Sequence, residues 1–178
     1  VYRAQVYHLS EQPGRWPSSQ RVAYQVHPPK EDGTCEPLQT RPIRVYSLIY
    51  RVYAGLRFRE LQPWQQKWVH PSLHGAQADH ETAQTFMELG LDVAEAQADN
   101  QSLSGNLLDS IKHFDLYIHP LVVRIMVASG LPPWFVFLLA DLWEEQQVFI
   151  KIGGHYGEGF SPFNGLGQGD VIALLVTN

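Results

Sequence analysis

Residues 107–115 read Leu107-Leu108-Asp109-Ser110-Ile111-Lys112-His113-Phe114-Asp115. Two leucines running into an aspartate predict the end of a buried strand with a carboxylate at its tip. Such a carboxylate, held on a rigid element, suits a hard divalent cation, which takes oxygen ligands. Asp109 offers the carboxylate and Ser110 a backbone carbonyl. The same residues read equally well as a helix cap, with Lys112 and Asp115 on the solvent face. Fifty-five residues beyond Asp109 begins Asn164-Gly165-Leu166-Gly167-Gln168-Gly169-Asp170. Its glycines let the backbone lie close to a base pair or sugar, where Gln168 can hydrogen-bond; a plain glycine-rich turn is the competing reading. It is not a P-loop, because no Gly-Lys-Ser/Thr follows.

Working outward, Pro120 predicts the first turn of a helix that Gly130 ends, and a second, nearly all-apolar helix follows from Trp134 to about Gln146. Gln147–Ile152 predicts a strand, turned by Gly153-Gly154 into a hairpin that returns through Phe160. Val171–Val176 begins another apolar element, and its end at Asn178 predicts a missing packing partner. Upstream, Arg21–Val26 predicts a strand, with Asp32-Gly33 turning it back toward Arg41. Val45, Leu48, Ile49, Val52 and Leu56 recur at helical spacing and predict a buried aliphatic stripe, with Arg44, Arg51 and Arg59 off it; Pro63 marks the end of that helix. A further helix is predicted from Glu81 to Ala98, with Thr82, Phe86, Leu89 and Val93 turned inward.

The chain has 178 residues, a net charge of −5 and one cysteine, Cys35, which rules out an internal disulfide within it. The single thiol fits an intracellular setting, nucleus and cytoplasm being indistinguishable. No apolar run approaches the roughly 20 residues of a membrane span. Charge is unevenly placed: residues 1–69 carry ten Lys/Arg against five acids, and residues 70–178 three against thirteen. A basic lobe followed by an acidic one suits a phosphate-gripping module joined to a cation-binding one, although chance segregation over solvated faces would look the same. Among the histidines, His70 and His74 stand four apart, but Pro71 spoils a helical pair, so surface or structural roles are the expectation. Trp134 and Trp143 are expected in the core.

Together the two loops resemble motifs of reverse transcriptases: L-L-D-S-I-K-H-F-D resembles their motif A and N-G-L-G-Q-G-D-V-I-A-L-L their motif B. S-G-L-P-P-W, L-A-D-L-W-E-E-Q and V-F-I-K-I-G-G lie between them, and P-P-K-E-D-G, T-R-P-I-R-V-Y-S-L-I-Y-R-V-Y-A and L-H-G-A-Q-A-D-H-E-T-A upstream, all in family order. The likeness runs from about Ala23 to the end and is closest to non-long-terminal-repeat retroelement enzymes. It implies an α/β (α+β) fold, with fingers over residues 1–100 and the N-terminal half of a palm over 101–178, helices packed on a small antiparallel sheet. It implies Asp109 as a catalytic carboxylate, with Ser110 holding Mg²⁺ (or Mn²⁺) beside it, two ions in the complete enzyme. It implies Lys30 and Arg41 on the triphosphate, Phe114 as the steric gate against a 2′-hydroxyl, and Gln168 and Gly169 lining the nucleotide pocket. The Arg44, Arg51, Arg57 and Arg59 cluster then contacts template backbone. The implied partners are an RNA template, a DNA primer, dNTPs and the remainder of a polymerase chain, with no membrane.

The sequence departs from the family in three places. No aromatic-x-Asp-Asp tetrad occurs, so these residues alone are expected not to polymerise. Gly167 and Val171-Ile172-Ala173 replace commoner residues of motif B, and His113 a smaller or apolar one of motif A. An RNA-dependent RNA polymerase would carry Asp at Phe114 and Ser-Gly at Gln168-Gly169. A non-catalytic nucleic-acid-binding remnant of a retroelement is the other alternative.

Overall fold

The computed structural model describes residues 2–30, 39–75, 77, 80–108 and 113–177. The N-terminal helix α1 (Tyr2–Glu11) opens the chain. The residues carry no expectation of it, because the segment up to residue 40 is dense in turn formers. Strand β1 (Val22–Val26) pairs antiparallel with β2 (Ile43–Tyr46), and the ladder continues past them through the Pro29–Thr40 bridge. The connection folds back as predicted, although Asp32, Gly33 and Cys35 lie outside the described residues. Helices α2 (Leu48–Gln65) and α3 (Thr82–Ala98) follow, then α4 (His119–Ala128) and α5 (Pro133–Glu144). Strands β3 (Gln147–Ile152) and β4 (His155–Phe160) form the predicted glycine hairpin, and α6 (Val171–Thr177) ends the described chain.

The strand order is β2-β1-β3-β4. Strand β1 runs parallel to β3, with Ala23 opposite Val148, so the sheet is mixed rather than antiparallel. A parallel neighbour needs a long crossover, and here everything from β2 to α5 makes it. The sheet therefore takes two strands from residues 1–100 and two from 101–178. Side chains alternate across it: Ala23, Tyr46 and Val148 are buried, while Tyr24 and Val45 point outward and Phe149 lies beside Tyr24 at 6.4 Å.

Helix α5 is the keel under this sheet. Pro132 and Pro133 start it, and Phe135, Val136, Leu138, Leu139, Leu142 and Trp143 are all buried along one broad face, while Phe137 on the far side is 56 % exposed, so the helix is not enclosed on most sides as its composition suggests. Burying one Leu of this kind contributes roughly 1.5–3 kcal/mol. Trp134 is also outside that face: it is 39 % exposed and lies under the Arg57 guanidinium at 5.1 Å, not in the core as expected. Asp141 fastens the N-terminal segment to the keel. It accepts from Arg21 Nε at 3.1 Å and Nη2 at 3.0 Å, and from the Trp16 backbone N–H at 2.9 Å. Trp16 then packs edge-on against Tyr50 and Tyr53.

Several expectations about facing and boundaries fail. On α2 the tyrosines Tyr50 and Tyr53 face the core, whereas Leu48 and Leu56 are 63 % and 48 % exposed and Val45 sits on the outer face of β2. Pro63 lies inside the last turn of α2 rather than after it. Leu107 and Leu108 are 100 % and 91 % exposed in an irregular stretch, so no buried strand occupies 101–108. Helix α3 forms where predicted, yet Phe86, Leu89 and Val93 are open to solvent rather than turned inward.

Candidate functional site

The glycine-rich loop at 164–170 is stapled to the protein on three sides. Gly165 N–H donates to the Tyr117 carbonyl and Leu166 N–H to the Phe114 carbonyl, both at 2.7 Å. This joins the loop to the short 3₁₀ turn His113–Leu116. His119 Nε2–H donates to the Gly165 carbonyl at 2.8 Å while its ring stacks on Trp143 at 5.2 Å. Burial lowers the His119 pKa, consistent with a neutral ring holding that carbonyl. On the other side Arg44 N–H donates to the Gln168 carbonyl at 2.7 Å, extending β2 onto the loop.

The glycines make this approach possible. A Cβ at Gly167 would lie 2.0 Å from the Tyr46 hydroxyl and 2.9 Å from Arg44 Cδ. Gly169 has φ of +102°, and a Cβ there would meet the Arg44 carbonyl oxygen at 2.9 Å. The close neighbours at these glycines within the protein are Tyr46 and Arg44. Sequence spacing identified the loop but could not name what presses on it.

Asp170 closes the loop and starts α6. Its Oδ1 accepts from the Ile172 backbone N–H at 3.0 Å and its Oδ2 from the Tyr50 hydroxyl at 2.7 Å. Burial nonetheless raises its pKa to about 6. The same burial, reinforced by the Asp170 charge, pushes the Tyr50 phenol well up.

Between the loop, the 3₁₀ turn and the strand ladder lies a cavity of about 590 Å³. Lys30, Arg41, Phe114 and Gln168 line it, together with Gln25, His27, Arg44, Asp115 and Phe160. Four of the five residues assigned to nucleotide binding therefore share one wall system. Gly169 does not; it lines a separate hollow with Leu48 and Arg51. The ladder sets Lys30 and Arg41 diagonally on neighbouring strands, either side of the Pro29–Thr40 pair, since Lys30 N–H donates to the Gln39 carbonyl and Arg41 N–H to the Pro28 carbonyl, each at 2.9 Å. Asp109 and Ser110 lie outside the described residues. Among the described residues no group of three or more His, Cys, Asp or Glu could hold a metal ion.

The four arginines assigned to template contact do not share a face. Arg51 and Arg59 are exposed on α2. Arg57 is engaged by Glu11, with Nε to Oε1 at 2.9 Å, and by Glu60. Arg44 is buried on β2, a strand and not the helix, and opens onto the cavity. Its side chain is part of a polar relay missed in the sequence: Arg44 Nη1 donates to Gln146 Oε1 at 3.1 Å and Nε to Gln25 Oε1 at 3.4 Å. Gln25 Nε2 then meets His27 Nε2 at 2.9 Å, and His27 Nδ1 meets Thr40 Oγ1 at 3.1 Å. Neither Gln25 nor Gln146 carried a local signal: alternation in β1 groups the apolar Val22, Tyr24 and Val26, yet Ala23 and Gln25 are the buried residues. Away from the cavity, His74 Nδ1 lies 2.8 Å from His80 Nδ1 and its Nε2 3.1 Å from Glu88. No helix of the described residues is long and apolar enough to cross a membrane.

No family model matches this chain, and no curated protein matches it.

Proposed function

We propose that this chain carries the nucleotide-binding part of a reverse transcriptase, serving template-directed DNA synthesis from dNTPs by phosphoryl transfer. The observation that carries the reading is the convergence of Lys30, Arg41, Phe114 and Gln168 on one cavity, from segments as much as 138 residues apart. Lys30 and Arg41 supply a point charge and a planar fork, the two donors best matched to a polyphosphate. Gln168 sits on a loop that cannot drift, because its neighbours are bonded on both sides. Phe114 is half-buried in the 3₁₀ turn and packs against the core, and its backbone carbonyl accepts from Leu166 N–H, which ties the turn to the loop that carries Gln168. Asp109 and Ser110 offer a carboxylate and a carbonyl, the oxygen donor set a hard dication takes. Such an ion, when bound, supplies charge neutralisation at the phosphates and activates a primer hydroxyl.

Equilibrium binding of a dNTP and the matching rNTP in the presence of Mg²⁺ tests this. A ring edge against a 2′-hydroxyl costs about 1–3 kcal/mol in a packed site, so the dNTP binds roughly ten- to a hundredfold tighter. Phe114→Ala should bring the ratio close to one with little change in dNTP affinity. A ratio already near one in the wild type, or unmoved by the substitution, would overturn the reading.

A further inference from the structure

We propose that His74 and His80 form a two-imidazole site for a borderline-soft divalent cation such as Zn²⁺, with the Glu88 carboxylate standing behind His74. The site is independent of the nucleotide reading and lies away from that cavity, where the α2–α3 connection meets α3. His74 Nδ1 is 2.8 Å from His80 Nδ1, and the two ring centroids are 5.1 Å apart. His70, four residues before His74, is not part of the pair; its Nδ1 accepts from the Ser72 N–H at 3.3 Å. The His74 side chain is 6 % exposed, and its Nε2 lies 3.1 Å from Glu88 Oε1 on α3. That nitrogen is buried, and no aligned hydrogen bond satisfies it.

The tautomer decides what the pair can hold. A carboxylate beside Nε2 favours the proton on that nitrogen, which leaves Nδ1 of His74 a bare lone pair next to His80. Two imidazole nitrogens this close need something positive between them. In the free protein a single proton on His80 Nδ1 serves. A dication serves as well, and engages both lone pairs at once. Two nitrogens bound to a tetrahedral zinc at about 2.0–2.1 Å stand roughly 3.3 Å apart, so the rings need to part by only about half an ångström. His80 is half-buried and stands two residues before α3 begins. Metal on Nδ1 makes the Nε2–H more acidic and draws it toward Glu88, as outer carboxylates do for ligating histidines. Among the described residues no group of three His, Cys, Asp or Glu could hold an ion, so water fills the remaining positions and the ion exchanges. Nitrogen donors select Zn²⁺, Ni²⁺ or Cu²⁺ over Mg²⁺, which takes oxygen. Glu88 belongs to a helix that buries no side chain, so the bound ion also ties α3 to the segment before it.

Calorimetric titration of the whole chain with ZnCl₂ at pH 7.5, with MgCl₂ in parallel, tests this. One Zn²⁺ should bind per chain, and Mg²⁺ should give no site-specific heat. His74→Ala and His80→Ala should each weaken Zn²⁺ at least tenfold. Glu88→Gln should weaken it about tenfold, the lower end of what losing an outer carboxylate costs. His80→Cys keeps a zinc ligand and should restore binding, which a merely structural His80 would not do. His70→Ala should bind as wild type does. Amide exchange along α3 should slow when Zn²⁺ is added to the wild type and stay unchanged in His80→Ala. If His74→Ala does not fold, the Ala and Cys variants of His80 decide. No saturation by about 1 mM Zn²⁺, wild-type affinity in His80→Ala, or a loss in His70→Ala instead would overturn the proposal.

Discussion

The loop at 164–170 and helix α3 are both well formed, and they are held by opposite means. The loop has poor intrinsic order: three glycines in seven residues, no regular structure, and an entropy cost that glycine makes larger. Tertiary bonds fix it, from Tyr117, Phe114, His119 and Arg44. Helix α3 has good intrinsic order, since Ala, Leu, Met, Glu and Gln fill it and a capping box ties Glu81 to Gln84. It buries nothing: Phe86, Met87 and Leu91 are each about two-thirds exposed or more. Local propensity can therefore make an element without a core. A core can fix an element that has no local propensity at all.

The strongest test of this contrast is Gly167→Ala. The new methyl would overlap the hydroxyl of Tyr46, which is only 4 % exposed. Overpacking typically costs about 1–3 kcal/mol, and this overlap places the loss at the top of that range. Chemical denaturation should show it as a lowered midpoint with unchanged slope. A loss under about 0.5 kcal/mol would mean that the loop is held less tightly than its bonds indicate.

The second test uses pH. The Asp170 pKa of about 6 lies above the roughly 3.9 of a free aspartate. Folding therefore takes up a proton between those values. The stability this group contributes is fully present below about pH 4 and is lost as pH rises through about 6. Asp170→Asn should flatten that dependence. Above pH 6.5 it should leave the protein about 1–2 kcal/mol more stable, less than the full shift because a charge-assisted bond from Tyr50 is given up. Melting curves at pH 5 and pH 7.5 decide it; parallel losses in both proteins would assign the pH dependence to other groups.

The smallest expected effect is on α3. Phe86→Ala with Leu91→Ala should change global stability by no more than about 0.5 kcal/mol, as for surface positions generally. Dye binding to exposed apolar surface should fall at the same time. A loss of 2 kcal/mol or more would show that this face is covered in solution, and would erase the contrast.

Elements that rest on neighbours in the chain are legible in the residues themselves. The β3–β4 hairpin has its β-branched run and its Gly153-Gly154 turn within fourteen residues. Pro120 and Gly130 bracket α4 as helix chemistry requires, with Gly130 at φ of +82°. The resemblance carried by the two loops and the segments upstream implied Phe114, Gln168, Lys30 and Arg41 for one nucleotide pocket, and these four do line one cavity. What the sequence left undetermined was which side of an element faces protein. Tyr50 and Tyr53 went inward because Trp16 and Asp170 wait there, while Leu48 and Leu56 stayed out. The parallel pairing of β1 with β3 depends on a crossover of more than a hundred residues, and no local signal encodes it. Arg44 shows the limit most sharply. By residue type it belongs on a solvated face. Only the meeting of β1, β2, the end of α5 and the glycine loop removes its water and leaves it two amides, because burial depends on distant elements as well as on the side chain.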